Sequence, residues 1–108
     1  MLKTVRCGRT LTVYLRDEID HCCAQTLREE IETMLCDRDI DELVVDFTEV
    51  TFMDSSGVGM LIGRYKTMAT RRGTIAAKNL SAQMEKLFRL AGLHRIIPIC
   101  DQEEAANE

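Results

Sequence analysis

Two adjacent serines, Ser55 and Ser56, are the residues of this sequence best placed to do chemistry. They follow Asp54 and precede Gly57, where an apolar stretch ends and a helical pattern begins. A serine at a helix start can cap the helix, act as a nucleophile, or carry a phosphate whose charge the backbone amides and helix dipole favour. Position alone favours capping, so the other two roles need further support.

A nucleophilic serine needs a base within hydrogen-bond reach and a third group that orients this base. The chain offers only His21 and His94 as histidine bases, and the serine pair does not match the Gly-x-Ser-x-Gly turn of hydrolases. We therefore expect no catalytic residue and no enzyme. Phosphorylation would instead add about −1.5 to −2 charges beside Asp54, and a partner shaped for the unmodified turn would be repelled.

No cofactor or metal is expected either. The glycines from Gly57 to Gly63 loosely resemble a nucleotide-binding loop, but the third glycine comes one residue late, so we expect them to allow close helix packing on the sheet or a partner. An odd number of cysteines without a Cys-x-x-Cys pair favours neither a disulfide framework nor a zinc site. We expect small buried side chains, kept reduced, at Cys7, Cys22, Cys23, Cys36 and Cys100.

The overall composition is that of one globular domain spanning residues 1–108, with 45% hydrophobic and 30% charged residues. A net charge of −4 argues against nucleic acid as a partner, and no polybasic run is present for an anionic membrane. No apolar run approaches the roughly 18–20 residues that span a bilayer, and the first residues do not resemble a signal peptide. We expect a cytoplasmic protein.

The elements that must position the serines alternate between strand and helix. Expected strands cover residues 2–7, 10–16, 43–47, 74–78 and 95–100, and expected helices cover 20–36, 56–72 and 81–91. The order β-β-α-β-α-β-α-β, with a possible short helix in the acidic tail 101–108, predicts an α/β fold. Its mixed, mostly parallel sheet of four to five strands has helices packed against it.

Several local features of these elements can also be predicted. The nearly continuous apolar run 43–47 is typical of a strand buried on both faces. Residues 16–20 read as a charged loop with Asp20 as the next helix cap, and residues 48–53 as a connection over the top of the sheet. The core-facing stripe of the helix after Ser56 is expected at Val58, Leu61, Ile62, Tyr65 and Ala69.

Residues 52–59, Phe-Met-Asp-Ser-Ser-Gly-Val-Gly, resemble the signature of bacterial anti-sigma factor antagonists, which belong to the STAS domain family. Residues 44–47 and 63–66 flank this signature as in the family, and residues 63–66 together with 87–88 and 92–97 are especially similar to the sporulation branch of these antagonists. The resemblance covers nearly the whole chain, and it implies a STAS-type sheet with helices packed on it.

The resemblance also implies a switching mechanism. In the family, the unphosphorylated antagonist binds an anti-sigma factor that is also a serine kinase, and this frees the sigma factor. The kinase then phosphorylates the first serine of the pair, and a PP2C-type serine phosphatase reverses the modification. Carried over by position, Ser55 is the phosphoacceptor. The implied partner-binding residues are Glu18, Asp20, Asp54, Ser55, Ser56 and Gly57, the last as the small residue that allows close approach.

One position departs from the family pattern, because Asp17 stands where the family has a glycine before Glu18. This substitution affects the expected backbone shape of the loop and adds a charge near the partner surface. Two other functions keep the same fold. One is a scaffold or sensor module that binds a protein or small ligand and is never phosphorylated, and the other is an antagonist in a general-stress sigma pathway.

Overall fold

Strands and helices alternate along the chain in the predicted order. A computed structural model describes residues 2–100, so the possible helix at 101–108 lies outside the described residues. The elements are β1 (Lys3–Cys7), β2 (Thr10–Ile19), α1 (His21–Met34), β3 (Glu42–Met53), α2 (Ser55–Thr70), β4 (Thr74–Lys78), α3 (Ala82–Leu90), a 3-10 turn (Leu93–Arg95) and β5 (Ile99–Cys100).

The five strands form one sheet in the spatial order β1-β2-β3-β4-β5. Strand β1 is antiparallel to β2, and every other neighbouring pair is parallel. The predicted mixed, mostly parallel sheet is confirmed. Gly8 makes the β1–β2 turn with a φ of 63°, a conformation that glycine adopts without strain. Strand β5 is shorter than expected and lies at the sheet edge after Pro98, as proline predicts.

The hydrophobic core covers one face of the sheet. The strand residues in register on this face are all at most 4% exposed: Leu11, Val13, Leu43, Val45, Ile75 and Ala77. On the opposite face Val44 is only half-buried while Asp46 is 5% exposed, so the expectation that residues 43–47 are buried on both faces is confirmed only in part. The reason lies in the topology. Each of the strands β3, β4 and β5 is added on the same side of the strand before it, so the three right-handed connections place α1, α2 and α3 on one face of the sheet.

Strands β2 and β3 extend further than the sequence suggested. The expected loop at 16–20 and the expected connection at 48–53 are wrong, because β2 continues to Ile19 and β3 to Met53. The pairs along this extension are Arg16–Glu49, Asp17–Val50, Glu18–Phe52 and Ile19–Met53. Two register irregularities interrupt the ladder, and such irregularities break the alternation that identifies a strand.

The buried side of α2 is shifted from the predicted stripe. Leu61 is buried as expected, and the half-buried Val58, Ile62 and Tyr65 also pack against the core. Ala69, in contrast, is exposed, and Arg64 is only 5% exposed. The guanidinium of Arg64 is accommodated because its Nε lies 2.7 Å from Glu32 Oε2 of α1. Burial lowers the pKa of Arg64, and the carboxylate of Glu32 opposes this shift. A charged residue thus occupies a core position that an apolar stripe cannot predict.

None of the cysteines is fully buried, although Cys23 packs against the core, and this corrects the expectation of small buried side chains. Three are exposed and two are half-buried, and all five are free thiols. Within residues 2–100, no group of three or more His, Cys, Asp or Glu side chains is arranged to hold a metal ion.

Candidate functional site

The serine pair lies where two parallel strands end side by side. Because β2 and β3 are neighbours, the helices that follow them also begin next to each other. The backbone N–H of Asp54 donates to the carbonyl of Ile19, with 3.2 Å between the nitrogen and oxygen, and this bond joins the two strand ends. The starts of α1 and α2 therefore form one continuous surface.

Two aspartates hold these helix starts. Asp54 Oδ1 accepts hydrogen bonds from the backbone N–H groups of Ser56 at 2.8 Å and Gly57 at 3.2 Å. The other carboxylate oxygen, Oδ2, accepts a hydrogen bond from the backbone N–H of His21 at 3.2 Å. Asp20 caps α1 in the same way, through the amides of Cys22 and Cys23. The predicted cap at Asp20 is confirmed. Asp54 links both helices through a single carboxylate.

Ser55 is the first residue of α2, and its side chain is exposed. Its hydroxyl makes no hydrogen bond to any of residues 2–100. The residue that caps α2 is Asp54, and neither serine performs the capping role that position alone suggested. A phosphate on Ser55 would find the amides of Ser56 and Gly57 occupied. It would add negative charge at the protein surface, near the positive end of the helix dipole.

Ser56 is half-buried, and its Oγ lies 3.5 Å from His21 Nδ1. This contact could not be predicted, because the two residues are 35 positions apart in the chain. Within the described part of the chain, no side chain bonds the other ring nitrogen of His21, so nothing orients the imidazole as a catalytic base. The amides that could stabilise an oxyanion are also taken by Asp54.

Gly57 is buried, and its α-carbon faces the interior of the domain. A Cβ atom built on it would lie 2.8 Å from the carbonyl oxygen of Ile19 and 2.9 Å from Ile19 Cγ2, and it would also collide with Met53. This glycine therefore allows a close approach between α2 and the chain's own β2, and its expected contact with a partner stays a prediction. Gly57 sets the position of the turn that presents Ser55.

Glu18 and Phe52 complete the surface on the strand side. Glu18 is exposed and pairs with Phe52 in the β2–β3 ladder. Phe52 is 43% exposed, although most large apolar side chains of the strands are buried. Sequence reasoning missed Phe52 as a site residue, because its outward position depends on the register irregularity beside it.

The comparison with family models decides the classification. The model of the STAS domain matches residues 2–106. The chain belongs to the STAS domain family. Within residues 2–100, this STAS domain has no helix that combines the length and the apolar character needed to cross a membrane.

Its relatives include antagonists of two anti-sigma factors. The STAS domain is 32% identical to the anti-sigma F factor antagonist of Paenibacillus polymyxa over 93 residues, which cover 86% of this chain and 80% of the relative. It is 33% identical to the anti-sigma-B factor antagonist of Bacillus subtilis (strain 168) over 94 residues, which cover 87% of this chain and 84% of the relative.

Among solved structures, the anti-sigma factor antagonist SpoIIAA is similar in both of its forms. The unphosphorylated form matches with a TM-score of 0.75 and 27% identity, covering 99% of this chain and 96% of that one. The phosphorylated form of Bacillus SpoIIAA matches with a TM-score of 0.74 and 28% identity, covering 99% and 97%. The predicted STAS fold is thus confirmed.

Asp17, which stands where the family pattern has a glycine, has a left-handed backbone conformation. Its φ is 61°, in the left-handed region that glycine adopts freely and aspartate tolerates with some strain. Its exposed carboxylate lies 3.4 Å from Arg16 Nε, in the strand segment before α1.

Proposed function

We propose that this STAS domain is an anti-sigma factor antagonist that acts by switching partners. In its unphosphorylated form it binds an anti-sigma factor with serine kinase activity, and so frees a sigma factor. Phosphorylation of Ser55 ends this binding, and a PP2C-type serine phosphatase restores it. Residues 1–108 act as one cytoplasmic domain without enzymatic activity or a cofactor.

The observation that carries this proposal is the free hydroxyl of Ser55 at a helix start that is capped by Asp54. An exposed side chain that makes no hydrogen bond within residues 2–100 can be modified with little effect on the fold. The exposed surface, in contrast, gains about −1.5 to −2 charges and the bulk of three oxygens. The similarity of this fold to both the phosphorylated and the unphosphorylated forms of SpoIIAA supports the same view.

The loss of binding follows from where the phosphate would lie. Glu18, Asp20 and Asp54 already make this surface acidic. A close-packed interface over Ser55 would have to desolvate the phosphate beside these carboxylates, and burying an incompletely paired charge is strongly unfavourable. The bulk of the phosphate would also separate the partner from the start of α2. Both effects favour dissociation.

The sigma factor that we propose is a sporulation factor. This choice depends on the flanking residues 63–66 and 87–97, because relatives of both the anti-sigma F and the anti-sigma-B type are similarly identical to this chain. Binding measurements against a sporulation-type and a stress-type anti-sigma factor from the same genome would decide it. Preference for the stress-type protein would overturn this choice.

Phosphosite mapping tests the proposal. The purified protein is incubated with the anti-sigma factor kinase of the same genome and ATP, and modified residues are identified by mass spectrometry. We expect phosphate on Ser55 in the wild type and in the Ser56→Ala control, and none in Ser55→Ala. Phosphate that is absent, or that persists in Ser55→Ala, would contradict the assignment.

A scaffold or sensor module is the second candidate function. An open groove of about 620 Å³ separates the exposed sides of α1 and α2 and begins beside Ser56. A small ligand held there would support this function. A protein that is never phosphorylated and binds no anti-sigma factor, but whose unfolding temperature rises with a metabolite, would favour it.

A further inference from the structure

Phe52 is an apolar side chain exposed beside the serine turn. It is one of three large hydrophobic side chains in residues 2–100 that are clearly exposed, at 43%, with Val5 at 47% and Leu90 at 80%. Val5 lies on edge strand β1 and Leu90 at the end of α3. Phe52 alone of the three comes within a few residues of Ser55.

A bulge in β3 turns Phe52 outward. Asp17 pairs with Val50 but Glu18 pairs with Phe52, so Thr51 is an extra residue in the ladder. Val50 and Met53, on either side of the bulge, are both buried. Bulges re-aim side chains and often lie beside functional sites. The fold therefore buries the neighbouring apolar residues and leaves the largest one at the surface.

The surroundings of Phe52 are acidic. Glu18 lies directly opposite in the ladder, and its carboxylate makes no ion pair within residues 2–100. Asp20 and Asp54 are engaged as helix caps, and Asp17 faces Arg16. Glu18 is thus the free carboxylate next to an apolar centre. Binding hot spots in protein interfaces typically consist of a central aromatic side chain surrounded by a polar rim.

We propose that Phe52 anchors the contact between this domain and its anti-sigma factor, which presents an apolar pocket with a Lys or Arg side chain facing Glu18. This inference rests on the proposed function, which supplies the partner. The acidic rim matches a basic residue by charge, and such complementarity chiefly accelerates association. The phosphoacceptor Ser55 follows Phe52 by three positions, so the phosphate would lie at the edge of the same contact.

Calorimetric titration with the purified anti-sigma factor kinase of the same genome tests the anchor. Truncation of a central aromatic side chain should weaken binding about ten- to hundredfold in Phe52→Ser. Val5→Ser removes a similarly exposed apolar side chain from the far edge of the sheet, and its affinity should stay within about twofold of wild type. Phe52→Leu, which keeps an apolar side chain, should lose less than Phe52→Ser.

The outcomes separate the inference from the proposed function. If the wild type binds no anti-sigma factor, the proposed function fails. If the wild type binds and Phe52→Ser binds equally well, the anchor is wrong while the function stands. Thermal unfolding shows whether Phe52→Ser is folded. If it is not, the binding of Phe52→Leu and of the exposed-site variant Glu18→Lys tests the proposed contact instead. Glu18→Lys should slow association at low salt about tenfold, and an unchanged rate would contradict the charged rim.

Discussion

Replacing Gly57 by alanine is the sharpest test of how the fold positions the serine turn. The new Cβ would lie 2.8 Å from the carbonyl oxygen of Ile19, a backbone atom that cannot swing away as the side chain of Met53 can. Forced overpacking typically costs about 1–3 kcal/mol. Alanine recovers up to about 1 kcal/mol of helix propensity, so we expect a net destabilisation of about 1–2 kcal/mol.

Gly59 provides the matched control in the same helix, because a Cβ atom there would meet nothing within 4 Å. Gly59→Ala should stabilise the protein by about 0.5–1 kcal/mol through helix propensity alone. The two variants should then differ by about 2 kcal/mol, or about 8–16 °C in Tm for a domain of about this size.

Urea unfolding followed by circular dichroism measures this difference. Similar slopes of free energy against urea would show that both variants unfold from comparably compact states. Because α2 must move away from Ile19 to admit the methyl group, Gly57→Ala should also be a poorer kinase substrate than Gly59→Ala. A Gly57→Ala protein as stable as Gly59→Ala would refute the close contact between α2 and β2.

Three further substitutions test the surroundings of the site, each by urea unfolding. Asp54→Ala leaves three amide donors without their acceptor and should destabilise the protein by about 1–2 kcal/mol, and Asp54→Asn by less, because asparagine also caps helices. Glu32→Gln leaves the buried guanidinium of Arg64 without its counter-ion and should lower the free energy of unfolding by about 1–3 kcal/mol. Arg64→Met removes the buried charge itself and should lower the free energy of unfolding by less. Asp17→Gly relieves a positive φ and should raise stability by up to about 1 kcal/mol, whereas Asp17→Ala should lower it. A reversed order within any of these pairs would contradict the contact concerned.

Most of the fold could be predicted from the sequence because its signals are local. The turn at Gly8, the cap at Asp20 and the apolar spacing of the helices each depend on a few neighbouring residues. The extension of β2 and β3 could not be predicted in this way. Its charged residues mimic a loop, and its register becomes visible only when the two strands lie side by side.

The residues of the candidate site could be predicted from the sequence, but several of their contacts could not. The resemblance indicated the serine turn and its acidic neighbours, and the structure brings those residues together at adjoining helix starts. The contact of His21 with Ser56, the close packing of Gly57 on Ile19 and the exposure of Phe52 depend on how distant segments of the chain pack together, and the first two of these residues are 35 positions apart. Composition and periodicity contain no information on such distances.

The central claim is that phosphate on Ser55 abolishes partner binding and leaves the fold intact. The most direct measurement is calorimetric titration of the anti-sigma factor kinase with the unmodified protein and with protein phosphorylated at Ser55. We predict at least about tenfold weaker binding of the phosphorylated form, with an unchanged circular dichroism spectrum. Equal affinities of the two forms, or loss of the folded spectrum on phosphorylation, would contradict the account.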